Sequence, residues 1–537
     1  MTNLFKKIGV RIEWLRDLAN RSALERHYRR NPPPIAHGAR QIVVVEGLWD
    51  NPNHWLRLWM FLHAILKDNT ADVVGILRSE DDWIKRRSLQ KLGIRRFLYL
   101  NDGRAPEEKF RLQAESLLAK AKRARDLLSL PLPDDLPAYT FVDTVIKQER
   151  HPQPAITGNP VWSRVLADLL RLGELYREFF DRNHIIAVVS SHAWKSEWAS
   201  LCWTAIRRKV PFHYMTAHYN SIRIRRMAAP EDYKAPNEHL LFAGFCALPT
   251  DVREKLIERG RAYLAERFEG ISDFIVIRYA IKPKLRQQDR TGLLKSLGLD
   301  PKKPLVVVYA HSWFDFPHTQ AMTNFTDPLD WIRFTLDTIK PLTGVSWAFK
   351  PHPCDRWYGN LRLVDLVSGL PPHIAILPEE SDSLTVQSAA EALVTIQGSI
   401  AIEAAAAGKT VLCADRSMYT DWGFAHTAAS REDYAAKLRG ITKLAKPTAE
   451  QSKRAMAFAA TALAPPPEES GSVRLTCDTL YIEGKLYPSL KRLLRQNMDP
   501  VREETASLRR WLNSPHQSYN VWRTIDHYMH CQEDLSR

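Results

Sequence analysis

Short runs of β-branched and other apolar residues alternate with longer stretches whose apolar residues recur at helical spacing. The first three short runs are Gln41–Glu46, Ala71–Leu77 and Arg95–Leu100, and amphipathic stretches separate them. Runs of this length predict buried strands, and the spacing between them predicts helices. Because parallel strands need a crossover connection, the alternation predicts a parallel sheet with helices packed on it.

The same alternation extends through most of the chain and restarts once. Predicted strands at His184–Ser190 and Lys209–Thr216 follow a long helical region. The segment Ile281–Gly292 is basic, polar and typical of a linker. The pattern therefore predicts two sheet-forming units that meet near residue 281. The predicted strands of the second unit are Pro304–Ala310, Val345–Lys350, His373–Pro378, Ala392–Gln397 and Lys409–Ala414.

These two series define the predicted fold class, which is α/β with two doubly wound Rossmann-like domains and flanking N- and C-terminal helices. Neither domain carries G-x-G-x-x-G or G-x-x-x-x-G-K-[ST], so neither a dehydrogenase nor a P-loop enzyme is expected. Two such domains in tandem without these signatures are the pattern of a GT-B glycosyltransferase. The predicted parts are a basic amphipathic segment (1–40), an N-terminal domain (41–280), a C-terminal domain (281–445) and a helical segment (446–537).

The charge balance of the chain predicts an anionic partner. Lys and Arg total 76 and Asp and Glu total 61, which gives a net charge of +15. Nine of the basic and three of the acidic residues fall within 1–40, where apolar residues recur at helical spacing. A basic amphipathic helix can lie on an anionic membrane surface, or it can pack on the protein with its charges solvated. The sequence leaves both interpretations open.

Composition also excludes several classes of protein. Apolar residues make up 45% of the 537 residues, which is ordinary for a globular protein. No apolar run approaches the ~18 residues of a spanning helix. The six cysteines are scattered without a C-x-x-C pair, so neither a disulfide framework nor a metal site is expected. No nucleic-acid-binding signature accompanies the basic charge, so nucleic acid is not expected as a partner.

Ligands of open α/β sheets bind at the carboxyl ends of the strands, so the residues just after each predicted strand are the candidate site. The first strand of the second domain is followed by His311-Ser-Trp-Phe-Asp315-Phe-Pro-His318. Aromatic neighbours could desolvate Asp315 and raise its pKa. Asp315 and His318 are therefore candidate catalytic acid–base residues. The alternative is a capped loop whose histidines bond to the backbone.

Two further strand ends carry groups that suit phosphate. Lys350 and His352 belong to a Lys-Pro-His-Pro exit, where prolines constrain the backbone and a cation and an imidazole could bind a sugar-nucleotide phosphate. Gly398 and Ser399 lie where another strand turns into a helix, a position at which free N–H groups bind phosphate. Glu403 lies one turn later and could reach a ribose hydroxyl, or it could be solvated in an ordinary capped turn.

These motifs resemble those of the bacterial capsule polysaccharide synthesis family. KPHP is followed by Gly398-Ser-Ile-Ala-Ile-Glu-Ala-Ala-Ala-Ala-Gly-Lys409 and then by Met418-Tyr-Thr-Asp-Trp-Gly-Phe424, and the likeness covers residues 304–426. The resemblance implies a GT-B fold and sugar transfer. Members that this chain resembles include retaining transferases that move Kdo from CMP-Kdo onto a lipid or glycan acceptor.

The resemblance also implies roles for individual residues. It places Lys350 and His352 on the donor phosphate, Ser399 and Glu403 on the nucleotide, and Tyr419 in the nucleotide-sugar site. Two features depart from the family's pattern. A threonine follows the Gly-Lys pair at the position where the family often has proline. The HSWFDFPH loop lacks the family's usual glutamine. Neither a metal nor another cofactor is expected, and the nucleotide sugar is a substrate.

The first domain should then hold the acceptor. Its candidates at strand ends are Asp50 as a nucleophile or base and His192 as a base. His218, Asn220 and Arg223 are candidates for contacts with an anionic acceptor. Each of these could instead be a structural loop residue, and the arginines of the SIRIRR segment could be solvated.

The sequence as a whole predicts a glycosyltransferase of bacterial capsule or surface polysaccharide biosynthesis. It would transfer a sugar from a nucleotide-activated donor, for which the resemblance implies CMP-Kdo, to a glycan or lipid-linked acceptor. The expected location is the cytoplasm, with residues 1–30 as the contact to an anionic inner-membrane surface. Alternatives are a polyol-phosphate transferase or a sugar-nucleotide epimerase of the same fold, or a non-catalytic membrane-associated assembly protein.

Overall fold

The structure is a computed structural model of the whole chain. It describes residues 19, 21–101, 107–121, 124–155, 159–216, 221–234, 239–270, 280–282, 289–314, 316–320, 322–353, 355, 362–367, 369–473 and 498–530.

The first sheet has six strands in the order β3-β2-β1-β4-β5-β6. Every neighbouring pair is parallel except β5 and β6, which are antiparallel. This is the 3-2-1-4-5-6 strand order of a Rossmann sheet, and it places the switch point between β1 and β4. The strands are β1 (Gln41–Glu46), β2 (Ala71–Leu77), β3 (Arg96–Tyr99), β4 (His184–Ser190), β5 (Phe212–Thr216) and β6 (Arg223–Met227).

The second sheet repeats this order. Its six strands run β12-β11-β10-β7-β8-β9, and all of its neighbouring pairs are parallel. Its switch point therefore lies between β7 and β10. The predicted fold class, two doubly wound Rossmann-like domains, is confirmed. The strands are β7 (Leu305–Tyr309), β8 (Ser346–Lys350), β9 (Ile374–Ile376), β10 (Ala392–Thr395), β11 (Thr410–Cys413) and β12 (His426–Thr427).

Strand burial explains why these segments form the sheets. All positions of β2, β7, β8, β10 and β11 are buried, as expected for parallel strands covered by helices on both faces. The helices of the first part of the chain are Pro52–Ile65, Trp83–Lys91, Glu108–Leu118, Ala124–Leu127, Tyr139–Glu149, Pro160–Arg182, Ser196–Arg207, Pro230–Lys234, Phe242–Ala247 and Thr250–Phe268. Those of the second part are Arg290–Ser296, Pro328–Ile339, Leu363–Leu366, Ser383–Ala389, Ile400–Ala406, Arg431–Arg439, Ala449–Ala462, Asp499–Leu512 and Tyr519–His530.

The chain divides into two compact units that are not contiguous segments. The first unit contains residues 1–112, 167–233 and 465–537, and the second contains 113–166 and 234–464. The sequence-based division placed boundaries near residues 280 and 445 instead. The difference arises because helices remote in sequence pack into each unit. The C-terminal residues Val501, Leu508 and Trp511, for example, belong to the same apolar core as β1.

The described part of the basic N-terminal segment packs on the first unit. A helix covers residues 21–30, and its Leu24 and Tyr28 are buried in that unit's core. Arg21 is also buried, and its guanidinium bonds to Glu25 and Ser88. Residues 1–18 lie outside the described residues. Across the part of the chain that is described, no helix combines the length and the apolar character needed to cross a membrane.

Candidate functional site

The carboxyl ends of three neighbouring strands in the second unit form one edge of its sheet. β7 lies between β8 and β10, and Tyr309 at its end is in register with both Lys350 and Thr395. Because the connections after β7 and β10 lead to opposite faces of the sheet, this edge is where a ligand is expected. The structure thus brings the predicted Lys-Pro-His-Pro and Gly-Ser motifs to the same edge.

Lys350 is a buried cation at this edge. Its side chain is at the end of β8, only 3% of the residue is exposed, and its Nζ donates a hydrogen bond to the carbonyl oxygen of Ser381 at 2.9 Å. Burial, followed by the nearby charge of Lys282, lowers the pKa of Lys350 to about 8. A buried ammonium group of this kind gains from a nearby anion, because the anion would offset the desolvation of the charge.

Two imidazoles lie side by side at the same edge of the sheet as Lys350. The rings of His311, after β7, and His352, after β8, have centroids 6.1 Å apart and planes inclined by 29°. The Nδ1 atom of His311 is 3.0 Å from the carbonyl oxygen of Ser312, so Nδ1 carries the hydrogen when the ring is neutral. An anion bound by both rings would favour their protonated forms. His311 was part of the motif noted in the sequence, but it was not among the selected site residues.

A buried carboxyl group follows the Lys-Pro-His-Pro motif and was missed from the sequence. Asp355 is only 1% exposed, and neither of its carboxyl oxygens has a hydrogen bond of ordinary geometry. Its backbone N–H donates to the carbonyl oxygen of His352 at 3.1 Å. Burial, and then the charge of Glu379, raise the pKa of Asp355 to about 8. A neutral carboxylic acid at a strand end can donate a hydrogen bond to an anionic ligand.

Tyr419 supports the Gly398–Ser399 turn through a hydrogen bond. The Tyr419 hydroxyl donates to the carbonyl oxygen of Gly398 at 2.8 Å, and the residue is 1% exposed. A Cβ atom at position 398 would lie 2.7 Å from Oγ1 of Thr395, which explains why glycine is needed at this turn. The Ser399 side chain makes no capping bond to the short helix Ile400–Ala406. Tyr419 therefore supports the turn, and Ser399 presents a half-buried hydroxyl on it.

Glu403 is engaged in a buried ion pair. Its Oε1 accepts hydrogen bonds from Nε of Arg267 at 2.7 Å and lies 2.6 Å from Nη2. Its Oε2 accepts a bond from Nε2 of Gln387 at 3.3 Å. Burial alone would lower the pKa of Arg267. The negative charge of Glu403 acts in the opposite direction and outweighs burial, so the pKa of Arg267 is raised. In this structure the carboxylate joins the helix Thr250–Phe268 to the short helix Ile400–Ala406, so Glu403 is not the solvated side chain that was the alternative to a ribose contact.

His318 forms an acid–imidazole pair that the sequence did not predict. Its Nδ1 bonds to Oδ1 of Asp143, and its backbone N–H donates to Oδ2 of the same carboxylate at 3.1 Å. Burial lowers the pKa of His318, but the charge and hydrogen bond of Asp143 outweigh burial and raise it. Asp143 lies on the helix Tyr139–Glu149 and precedes His318 by 175 residues in the chain. Asp315, the other candidate in this loop, lies outside the described residues.

This pair should make the stability of the second unit depend on pH. Because the folded-state pKa of His318 is raised, its stabilising contribution is fully present below the unfolded value of 6.5 and is lost as pH rises through the folded pKa. We expect His318→Asn to lower the free energy of unfolding by about 1–3 kcal/mol at pH 5.5 and by much less at pH 9. Urea unfolding at the two pH values measures this difference. Asp143→Asn should abolish the same pH dependence, and a loss that is equal at both pH values would contradict the assignment.

The first unit carries a second polar cluster at its own switch point. Glu46, the last residue of β1, is fully buried, and Ser191 follows the neighbouring strand β4. The Glu46 carboxylate accepts bonds from the N–H and the Oγ of Ser191, and His54 and His192 lie near these groups. His192 was predicted from the sequence. Glu46 and Ser191 were not among the site residues selected from the sequence.

The remaining candidates of the first unit occupy structural positions or lie outside the described residues. Asp50 accepts bonds from Nη1 of Arg21 at 2.8 Å and from Nε1 of Trp55 at 3.0 Å, so it ties the N-terminal helix to the unit. Arg223 lies in β6 and is 5% exposed, so it is not the solvated arginine that was the alternative to an acceptor contact. His218 and Asn220 belong to the undescribed residues 217–220.

Metal ions in proteins are bound mainly by histidine, cysteine and acidic side chains. Among the described residues, no group of three or more of them is arranged to hold a metal ion.

Among known proteins, similarity to this chain was found in structure only. No protein-family model matches the sequence, and no curated protein matches it. KpsC of Thermosulfurimonas dismutans, a β-Kdo 2,4-transferase, is 15% identical over 51% of this chain and 79% of its own, with a TM-score of 0.35.

Two further solved structures extend the likeness over more of the chain. The UDP-GlcNAc 2-epimerase of Neisseria meningitidis bound to UDP-GlcNAc is 11% identical, covers 78% of this chain and 97% of its own, and has a TM-score of 0.25. A glycosyltransferase of Rickettsia africae is 10% identical, covers 86% of this chain and 100% of its own, and has a TM-score of 0.23. Because all three TM-scores lie below 0.5, the functional argument rests on the residues of this chain alone.

Proposed function

We propose that this protein is a glycosyltransferase that binds a nucleotide-activated sugar at the strand ends of its second unit. The observation that carries the proposal is the stacked pair of imidazoles of His311 and His352 at the same strand ends as the buried cation Lys350. These three groups lie at the carboxyl ends of adjacent parallel strands, which is where open α/β sheets bind their ligands. A phosphate accepts charge-assisted hydrogen bonds from ammonium and imidazolium groups of this kind.

The chemistry of the donor site follows from these charges. When a nucleotide leaves the anomeric carbon of its sugar, negative charge develops on the phosphate oxygen. Protonated His311 and His352, together with Lys350, would stabilise that charge because they are already in place and partly removed from water. The half-buried Ser399 hydroxyl on the adjacent strand-to-helix turn offers a further donor to the nucleotide.

The finer parts of the proposal concern donor, acceptor and pathway. We propose an acidic sugar activated by CMP as the donor, with retention at the anomeric carbon, and a glycan or lipid-linked acceptor of capsule or surface polysaccharide synthesis. The net charge of +15 supports an anionic donor and an anionic acceptor. A lipid-linked acceptor would place the protein at the inner-membrane surface, for which vesicle binding is the measurement.

Donor binding can be tested with a panel of CMP-, UDP-, GDP- and dTDP-sugars. A ligand that binds only the folded protein raises the melting temperature, so at least one member of the panel should raise it. His352→Ala should weaken binding of that ligand by at least about tenfold in calorimetry, because one charge-assisted hydrogen bond is lost. His516→Ala, at an exposed position in the first unit, is the matched control and should bind like the wild type. If no nucleotide sugar binds, the proposal is wrong.

Transfer must also be distinguished from epimerisation. An epimerase of this fold would change the configuration of the donor sugar in the absence of any acceptor, whereas a transferase needs the acceptor for rapid turnover. The donor that binds best should be incubated without acceptor, and its sugar examined by NMR. A change at carbon 2 at a catalytic rate would replace the transferase proposal with an epimerase.

A further inference from the structure

Two segments of the first unit are rich in basic residues and almost free of acidic ones. Residues 21–40 contain five arginines, residues 83–100 contain six lysines or arginines, and Glu25 is the single acidic residue in the two segments. Each segment begins with a helix, which covers 21–30 in the first and Trp83–Lys91 in the second. Both segments belong to the first unit, so contacts within that unit show how they are arranged.

The two helices run side by side in the same direction. At their starts, Nη2 of Arg21 donates a hydrogen bond to the carbonyl oxygen of Ile84 at 3.3 Å, although 63 residues separate them in the chain. Just beyond their ends, a Cβ atom at Gly93 would lie 3.8 Å from the Cβ atom of Pro32. The basic residues of the two helices therefore lie on neighbouring parts of one surface.

The apolar side of the first of these helices faces the protein. Leu24 and Tyr28 are buried, and they share a core with Leu89 and Leu92. The sequence left open whether the basic segment lies on a membrane or packs on the protein. For residues 21–30 the apolar side is already packed, so a membrane can meet this helix only through its charged side.

The charged side presents cations whose neighbouring acidic groups are already used. Glu25 is 3% exposed and is paired with Arg21 and Arg87. Asp72 is 1% exposed and is paired with Arg96. Four other basic side chains of the two segments are exposed and form no ion pair within the part of the chain that the structure describes. This basic face consists of Arg26, Arg29, Arg30 and Arg95.

The surroundings of the basic face favour a membrane over nucleic acid as its partner. Proteins that bind single-stranded nucleic acid stack the bases on accessible aromatic rings. The rings next to the basic face, Tyr28 and Trp59, are only 2% and 6% exposed. An anionic lipid surface needs charge alone, and each basic side chain close to it strengthens binding about fivefold.

We propose that the basic face binds the anionic headgroups of a membrane and holds the first unit on the bilayer without insertion. This inference deepens the membrane part of the proposed function, because it names the surface that would bring the protein to a lipid-linked acceptor. The contact itself requires neither donor nor acceptor. Residues 1–18 lie outside the described residues and are not part of the basic face.

Vesicle binding of the full chain tests this surface. The wild type should sediment with vesicles of equal amounts of phosphatidylglycerol and phosphatidylcholine, and not with vesicles of phosphatidylcholine alone. Because the contact is electrostatic, it should be lost in about 1 M salt, where the screening length is about 3 Å. Insertion of an apolar helix face would survive that salt and would overturn the proposal.

Replacing all four residues of the basic face with glutamine should weaken binding to the anionic vesicles by at least about 100-fold. These side chains are exposed and unpaired, so the variant should melt like the wild type. The matched control removes four exposed cations of the second unit, also by glutamine, and should bind vesicles like the wild type. Its positions are Lys295, Lys302, Arg439 and Lys446.

Three outcomes would overturn the membrane surface. The wild type could fail to bind anionic vesicles, the two variants could lose binding equally, or the basic face could bind a DNA duplex more tightly than the vesicles. None of these results bears on donor binding, which is measured with the nucleotide panel in the absence of lipid. Conversely, a protein that binds vesicles through the basic face but binds no nucleotide sugar would keep this surface and lose the proposed function.

Discussion

Replacing Arg267 with methionine is expected to destabilise the second unit by about 3–5 kcal/mol. Arg267 is the main partner of Glu403, which is only 4% exposed and has no other charged group bonded to it among the described residues. Methionine approximates the length of the aliphatic part of arginine, so the main change is a buried carboxylate without its cation. Urea unfolding followed by tryptophan fluorescence measures the loss. The matched control is Arg261→Met, because Arg261 is on the same helix, is paired with Glu258 and is 52% exposed. The control should change stability by less than about 1 kcal/mol.

The double variant Arg267→Met with Glu403→Leu tests the reason for this effect. Replacing both charges with apolar groups removes the desolvation cost along with the attraction, so most of the lost stability should return. If the double variant is as unstable as Arg267→Met alone, the loss comes from packing and not from the unpaired charge. The double variant also bears on the nucleotide contact predicted for Glu403. Unchanged nucleotide affinity in the stable double variant would assign Glu403 to structure alone.

Replacing Asp355 with asparagine is expected to stabilise the second unit, and the gain should grow with pH. The pKa of Asp355 rises from 3.8 to about 8 on folding, so folding takes up a proton between these values. The free energy of unfolding therefore falls as pH rises through this window. At pH 7 the cost of keeping the carboxyl neutral is on the order of 4 kcal/mol. Asparagine has nearly the same shape and does not ionise, so Asp355→Asn should recover a stability of that order at pH 7 and almost none at pH 4.

Unfolding curves at pH 4, 5.5, 7 and 8.5 measure this dependence. The control is Asp337→Asn, because the Asp337 side chain is 74% exposed on a helix of the same unit and should show no such dependence. A difference between Asp355→Asn and wild type that is constant over the whole range would contradict the raised pKa. A stabilising replacement at a strand end beside His352 would also indicate that Asp355 is retained for ligand binding and not for stability.

Most of the sheet architecture was predictable because the strands are buried on both faces. Continuous apolar runs such as Ala71–Leu77 and Leu305–Tyr309 have no helical period, and the helices between them determine parallel pairing. β6 was missed because Arg223–Met227 contains three arginines and only two apolar residues, and its charges suggested a binding loop. β12 has two residues, too few to leave a pattern.

The candidate site was predictable only in part. The strand-end motifs of Lys350, His352 and Ser399 follow their strands directly, so the general rule for open sheets located them. The partners of these motifs could not be located in the same way. Asp143 of the His318 pair lies 175 residues from its partner, and Arg267 lies 136 residues from Glu403. Asp355 is close in sequence to His352, but its burial is a property of the packed loop.

The sequence by itself determined ten of the twelve strands found among the described residues, the doubly wound class of both sheets, and the motifs at their carboxyl ends. These depend on local periodicity and on the position of a residue relative to a strand, which are both local properties of the chain. The tertiary structure alone decided the protonation and partners of the polar groups. Glu46 and Ser191 are 145 residues apart, and their hydrogen bond forms because β1 and β4 are neighbours at the switch point. The carboxylates, imidazoles and cations of this protein obtain their chemistry from burial and from remote charges, and both arise only when the chain has folded.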